Sequence, residues 1–106
     1  MGHGYAQKKT DGNHRQMVEM FRRLGASVQS IHTVGKGCPD LLVGYAGQNV
    51  VVEVKPHAGA KLTPDELDWH RAWRGNVRVL WLVDQVGPLL AEMERSACRG
   101  GCSPSD

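Results

Sequence analysis

Between residues 13 and 24 the apolar side chains Met17, Val18, Met20, Phe21 and Leu24 recur at three- and four-residue intervals, separated by Arg15, Glu19, Arg22 and Arg23. This spacing predicts an amphipathic helix that Gly25 stops. Over residues 27–34, Val28, Ser30 and His32 alternate with Gln29, Ile31 and Thr33, which predicts a strand. A turn-rich stretch from 35 to 39 follows. Residues 40–45 and 49–55 then read as two strands of a hairpin whose turn is Ala46-Gly47-Gln48. Their near-continuous Leu and Val content predicts burial on both faces, with helices covering the sheet. After a loop over 56–62, Thr63-Pro64-Asp65-Glu66 has the pattern of a capping box, with Pro64 at the first helical position. The helix it opens carries Leu67, His70 and Trp73 along one stripe and Trp69 beside it, and ends near Arg74-Gly75. We read His70 and Trp73 there as core and rim residues. Residues 77–83 form a fourth strand and 88–96 a last short helix. The order is helix, three strands, helix, strand, helix: an α/β chain with a mixed sheet flanked by helices.

A chain of 106 residues suits one core, so residues 1–97 are expected to form one domain and 98–106 a flexible Gly- and Ser-rich tail. With 41% hydrophobic and 23% charged residues the composition is that of a soluble globular protein, and no apolar run is long enough to span a membrane. The first 13 residues are Gly-rich and polar, with Lys8 and Lys9, and lack the apolar stretch of a secretory signal; the expected location is the cytoplasm. Cys38, Cys98 and Cys102 cannot all pair within one chain and are expected to be reduced. No further Cys or His lies near the last two to complete a zinc site. The formal charge of +2 does not by itself indicate a nucleic-acid partner. Arg15, Arg22 and Arg23 nevertheless share one segment and Arg71, Arg74 and Arg78 another.

The chemistry is concentrated around the hairpin. Side chains two residues apart on a strand share a face, so Glu53 and Lys55 project together while Val54 points into the opposite layer. Asp40 opens the preceding strand after Pro39, whose missing N–H favours a bend. In a hairpin centred on Gly47, Asp40 falls opposite roughly residue 54, which brings two carboxylates and one ammonium together. Two carboxylates, the Val54 carbonyl and several waters suit a hard octahedral ion such as Mg²⁺. An ion held in this way can activate water and offset charge developing on a phosphodiester, while Lys55 orients the attacking water or neutralises the phosphate.

Pro39-Asp40 with Glu53-Val54-Lys55 resembles the motif of the PD-(D/E)XK nucleases. The wording from Gly37 to Gly44, then Glu53-Val54-Lys55, then Lys61-Leu62-Thr63-Pro64-Asp65-Glu66 and Trp69-His70 is similar to short phage and bacterial members of the VRR-NUC branch. The resemblance spans about residues 11–85. It implies a restriction-endonuclease-like αβββαβ core and catalysis by Asp40, Glu53 and Lys55. It also implies a Mg²⁺ or Mn²⁺ ion on Asp40, Glu53 and the Val54 carbonyl, in a bacterial or phage-encoded protein. The family usually carries a Glu on its first helix that reaches the metal; here that position falls at or near His14, beside Asn13. Either of these, or a water, would take its place. Gly35-Lys36-Gly37 lacks the third glycine and following helix of a dinucleotide fingerprint and reads as a turn that exposes Lys36. Lys36, Lys61, His70 and Arg15 are the candidate DNA contacts.

The resemblance to stand-alone Holliday-junction-resolvase-like members implies an endonuclease acting on branched DNA, and a homodimer suits a symmetric junction. Tyr5, Trp69, Trp73 and Trp81 are candidates for its interface. Within the same class, the alternative is a flap or nicking nuclease of replication, repair or phage genome processing. From another class, the missing first-helix Glu allows a catalytically weak DNA-binding module.

Overall fold

The structure is a computed structural model that describes residues 2–98, with side chains described from Asn13 onward. Tyr5, Lys8, Lys9, Cys102 and the segment from residue 99 lie outside the described side chains. The element order is α1 (Gly2–Arg23), β1 (Ser27–Ser30), β2 (Leu41–Tyr45), β3 (Gln48–Val54), α2 (Pro64–Ala72), β4 (Val77–Leu80) and α3 (Val86–Ala97). Short 3-10 turns at His32–Val34 and Val83–Gln85 stand between β1 and β2 and before α3. Four strands form one sheet in the order β1-β2-β3-β4. The first three are antiparallel neighbours, and β4 joins β3 in parallel after the crossover through α2. Among the described residues no helix is long and apolar enough to cross a membrane.

Hydrophobic alternation decides which sheet face becomes the core. Leu41 and Val43 of β2 pair with Val52 and Val50 of β3. Together with Val54 and Leu80 they are buried in one cluster under Met17 and Phe21 of α1 and Val86, Leu89, Leu90 and Met93 of α3. Met17 and Phe21 lie four residues apart, on one helix face, and residues 86, 89, 90 and 93 follow the helical period. The opposite face carries Leu42, Val51 and Glu53. The expected burial of both strands on both faces holds for β3 but not for β2, where Leu42 is 38% exposed. α2, the element on that second side, buries none of its own residues. The expected core role of its stripe is therefore corrected. Trp73 is 48% exposed and His70 only partly buried, while Trp69 and Trp73 stack on each other with ring centroids 4.6 Å apart.

Several element boundaries differ from the sequence expectation, each for a local reason. α1 begins near the N-terminus rather than at residue 13. β1 ends at Ser30 because it is an edge strand with almost no buried side chain, and Val34 N–H turns back to the Ile31 carbonyl (3.0 Å) instead of extending the ladder. β4 ends at Leu80 because the Gln85 side-chain oxygen accepts from the Trp81 and Leu82 N–H groups (2.8 and 2.9 Å) and removes them from the sheet. α3 starts two residues before Pro88. The proline falls in the first turn, where a missing N–H leaves no helical bond unmade. Cys98 caps that helix with helical dihedrals (φ −63, ψ −45), so it belongs to the helix end and not to a loose tail.

Candidate functional site

The hairpin turn sets the register from which the site is built. Ala46 and Gly47 both have positive φ (54 and 75), as a two-residue hairpin turn requires. Leu41 then pairs with Val52. One step further, Asp40 stands across from Glu53 rather than residue 54, because Gln48 already belongs to β3 and the turn is two residues long, and it lies on the face away from the main core. Asp40 is held twice: its carbonyl accepts from Ile31 N–H (2.8 Å) and its Oδ2 from Val54 N–H (2.8 Å). The side chain thus continues the ladder where the backbone of β2 leaves it, and its other oxygen is not used in this bond.

Lys55 is fixed through its main chain as firmly as Asp40. Its N–H donates to the Leu80 carbonyl on β4 (2.9 Å), and its carbonyl accepts from the Asn13 side-chain amide on α1 (2.7 Å). The ammonium reaches back over the sheet. Its Nζ lies 2.7 Å from Glu66 Oε1 and 4.0 Å from Glu53 Oε2. Glu66 sits in the first turn of α2, where its Oε1 also accepts from Thr63 N–H (2.9 Å) and its N–H donates to Thr63 Oγ1 (3.2 Å). The capping box expected from the sequence is therefore present.

These residues surround one cavity of about 320 Å³, lined by Asn13, His14, Asp40, Glu53, Val54, Lys55, Pro56 and Glu66. Its walls carry unspent polar capacity. Glu53 Oε1 and His14 Nε2 are both buried without a hydrogen-bond partner among the described residues. Burial first, then the neighbouring Asp40 and Glu66 carboxylates, push the Glu53 carboxyl up to about 9, against the opposing pull of Lys55. Burial also tends to raise Glu66, but the bonds from Lys55 and the Thr63 N–H outweigh it and hold that carboxyl below its usual range. Cys38, in the turn before Asp40, has its thiol pushed up by burial and by Glu53 and Asp40.

A buried carboxylate pair with an unpartnered oxygen is the donor set a hard cation would satisfy. Among the described residues no group of three or more His, Cys, Asp or Glu side chains is placed to hold a metal ion. The available set is the open one of an ion that keeps part of its water shell: Asp40, Glu53 and the Val54 carbonyl, with His14 at the rim. The residues present fit such an ion.

Of the residues singled out from sequence, Asp40, Glu53, Val54, Lys55 and His14 meet at the cavity; Lys36, Lys61, His70 and Arg15 do not line it. Lys36 is exposed with φ 55, while Arg15 and Lys61 are exposed on α1 and on the loop before α2. His70 lies one helical turn beyond Glu66. Its Nε2 is buried and unpartnered among the described residues, and burial lowers its pKa, opposed by the Glu66 carboxylate and reinforced by the Lys55 ammonium. His14 stands edge-on to His32, with ring centroids 5.9 Å apart. Glu66 is the side chain that sequence reasoning missed. It had a visible local role in the capping box, and only its distance to Lys55 reveals a second one.

A sheet of three antiparallel strands and a parallel fourth, with a carboxylate–carboxylate–lysine cluster at the mouth of its hairpin, defines the restriction-endonuclease-like, PD-(D/E)XK class. No family model and no curated protein matches the chain. A solved structure described as a VRR_NUC domain matches with a TM-score of 0.66 and 32% sequence identity, covering 78% of this chain and 95% of that one. The chain belongs to the VRR-NUC family.

Proposed function

We propose that the protein is a metal-dependent DNA endonuclease that hydrolyses phosphodiester bonds in branched DNA. The observation that carries this reading is the buried, unpartnered Glu53 Oε1, which faces a cavity shared with Asp40 and Lys55. Asp40 and Glu53, with the Val54 carbonyl, would hold Mg²⁺ or Mn²⁺. When bound, the ion supplies Lewis-acid stabilisation of the phosphate and activation of water. The chain's own part is positional. The β2–β3 register holds the two carboxylates side by side, and the Leu80 and Asn13 contacts fix the backbone that aims Lys55. The Lys55 ammonium supplies positive charge where negative charge builds on the phosphate in the transition state. Exposed Lys36, Lys61 and Arg15, with His70 beside the site, serve as contacts to the DNA backbone and flanking groups.

A labelled four-way junction incubated with Mg²⁺ or Mn²⁺, with EDTA as control, tests this function. Paired cuts near the branch point are expected. Cleavage confined to flaps or nicked duplexes assigns the protein to replication or repair instead, and cleavage unaffected by EDTA rules out the metal. The unpartnered His14 Nε2 at the cavity rim favours Mn²⁺ over Mg²⁺, because imidazole suits a transition metal and Mg²⁺ prefers oxygen. Rates at saturating metal should be higher in Mn²⁺. Equal or better rates in Mg²⁺ would remove His14 from the ligand set.

A fold of this size covers only a short stretch of duplex, and cutting two symmetric strands is most simply done by a two-fold dimer. Light scattering is expected to give twice the 11.6 kDa chain mass. A mass that stays monomeric at high micromolar concentration, with and without DNA, would refute the dimer.

A further inference from the structure

Glu66 makes two contacts with one oxygen, and their combination has a consequence for Glu53. Lys55 Nζ is bonded to Glu66 at 2.7 Å, whereas its separation from Glu53 Oε2 is 4.0 Å. The Lys55 side chain is only 12% exposed and that of Glu66 18%, so this ion pair is largely shielded from water. A shielded ammonium needs an anionic partner. A lysine stem is long and flexible, so without Glu66 the nearest alternative is the buried Glu53 carboxylate. We propose that Glu66 is a positioning residue: it holds Lys55 off Glu53, so that Glu53 stays free to receive a divalent cation. This rests on the metal-dependent nuclease reading above and adds a residue to its site.

The turn that carries Glu66 is itself held on two sides. From within α2, the Thr63 backbone N–H binds the same Oε1 and fixes the carboxylate at the helix start, while Thr63 Oγ1 accepts from the Glu66 backbone N–H and caps the helix without touching the carboxylate. From outside, the loop that leads into Asp40 presses directly on this turn. A Cβ at Gly37 would lie 2.1 Å from the Asp65 carbonyl oxygen and 2.9 Å from Glu66 N. The loop that delivers Asp40 and the turn that delivers Glu66 are therefore in backbone contact. Lys55 is drawn toward the helix, and Asp40 and Glu53 face the cavity together. Glu66 acts through Lys55 and is not assigned as a metal ligand.

Calcium titrations by calorimetry on the full chain separate this role from direct ligation and from simple capping. Glu66→Ala should weaken Ca²⁺ binding by about tenfold or more, the usual scale for losing an outer partner of a metal site. Glu66→Gln keeps an oxygen for Lys55 and Thr63 and should recover most of that loss. In a Lys55→Met background the Ala and Gln variants should bind Ca²⁺ equally, because no ammonium is left to collapse onto Glu53. Thr63→Ala breaks the same cap from its other side; it should lower the melting temperature as Glu66→Ala does but leave Ca²⁺ affinity near wild type. The proposal is overturned if Gln and Ala lose affinity equally in both backgrounds, which marks Glu66 as a ligand or a bare charge. It is also overturned if Thr63→Ala loses affinity as Glu66→Ala does, or if Glu66→Ala binds Ca²⁺ normally. A wild type that binds Ca²⁺ but cuts no DNA defeats the nuclease reading alone, since the same titrations still decide the role of Glu66.

Discussion

Asp40→Asn, Glu53→Gln and Lys55→Ala are each expected to slow single-turnover cleavage by about 10²–10³, the usual cost of removing one electrostatic group from a reacting centre. The two carboxamide substitutions keep the shape of the side chains. Asn at 40 retains an oxygen for Val54 N–H, so the hairpin end should stay closed. What they remove is the negative charge that a divalent ion requires. Lys55→Ala removes a cation whose main effect is on charge that develops during the reaction. An interaction of that kind lowers turnover without weakening ground-state binding. DNA affinity measured by gel shift in Ca²⁺ should therefore persist, and should rise for the carboxylate variants because repulsion of phosphate is relieved. Near-wild-type cleavage by all three variants would disprove the assigned site. Parallel loss of binding and cleavage would mean that these residues hold the substrate or the fold rather than the chemistry.

Gly37→Ala should damage the protein more than its distance from the cavity suggests. Two costs combine at this position. Its φ of 84 is disfavoured for any residue with a Cβ, and the added carbon would overlap the Asp65 carbonyl at 2.1 Å. A backbone atom cannot swing aside as a side chain can, so either the loop or the first turn of α2 must move. Left-handed strain and overpacking together amount to about 2–5 kcal/mol. Displacing that turn also shifts Glu66 and with it the Lys55 ammonium, so cleavage should fall by tenfold or more even at temperatures where the variant is folded. Urea unfolding and single-turnover cleavage of Gly37→Ala beside Gly35→Ala provide the comparison, because a Cβ at Gly35 (φ 78) meets nothing within 4 Å and carries the backbone strain alone. Equal effects at the two positions would show that the close contact with α2 is unimportant.

Much of the fold is legible along the chain because the signals are local. The 3.6-residue recurrence of Met17 and Phe21, the Leu- and Val-rich strands around Ala46-Gly47 and the Thr63 capping box each encode an element through interactions within a few residues of themselves. That Asp40 lies near the Glu53 end of the hairpin is also legible at this level, but the exact register is not: a three-residue turn centred on Gly47 would set Asp40 opposite residue 54, whereas the two-residue Ala46-Gly47 turn sets it opposite Glu53, so that both carboxylates face the same side. The tertiary structure decided the rest. Which sheet face is covered depends on where α1 and α3 pack, so the exposure of Leu42 and the absence of buried residues on α2 have no signature in composition. Strand ends depended on competing partners, as at Gln85, whose side chain takes the N–H groups of Trp81 and Leu82. Glu66 illustrates the division most clearly. Its sequence context specifies a helix cap, and that cap forms, but the same oxygen meets Lys55 only because the crossover returns α2 to the mouth of the hairpin. Local spacing determines which groups exist at the ends of elements; packing across elements determines which of them meet.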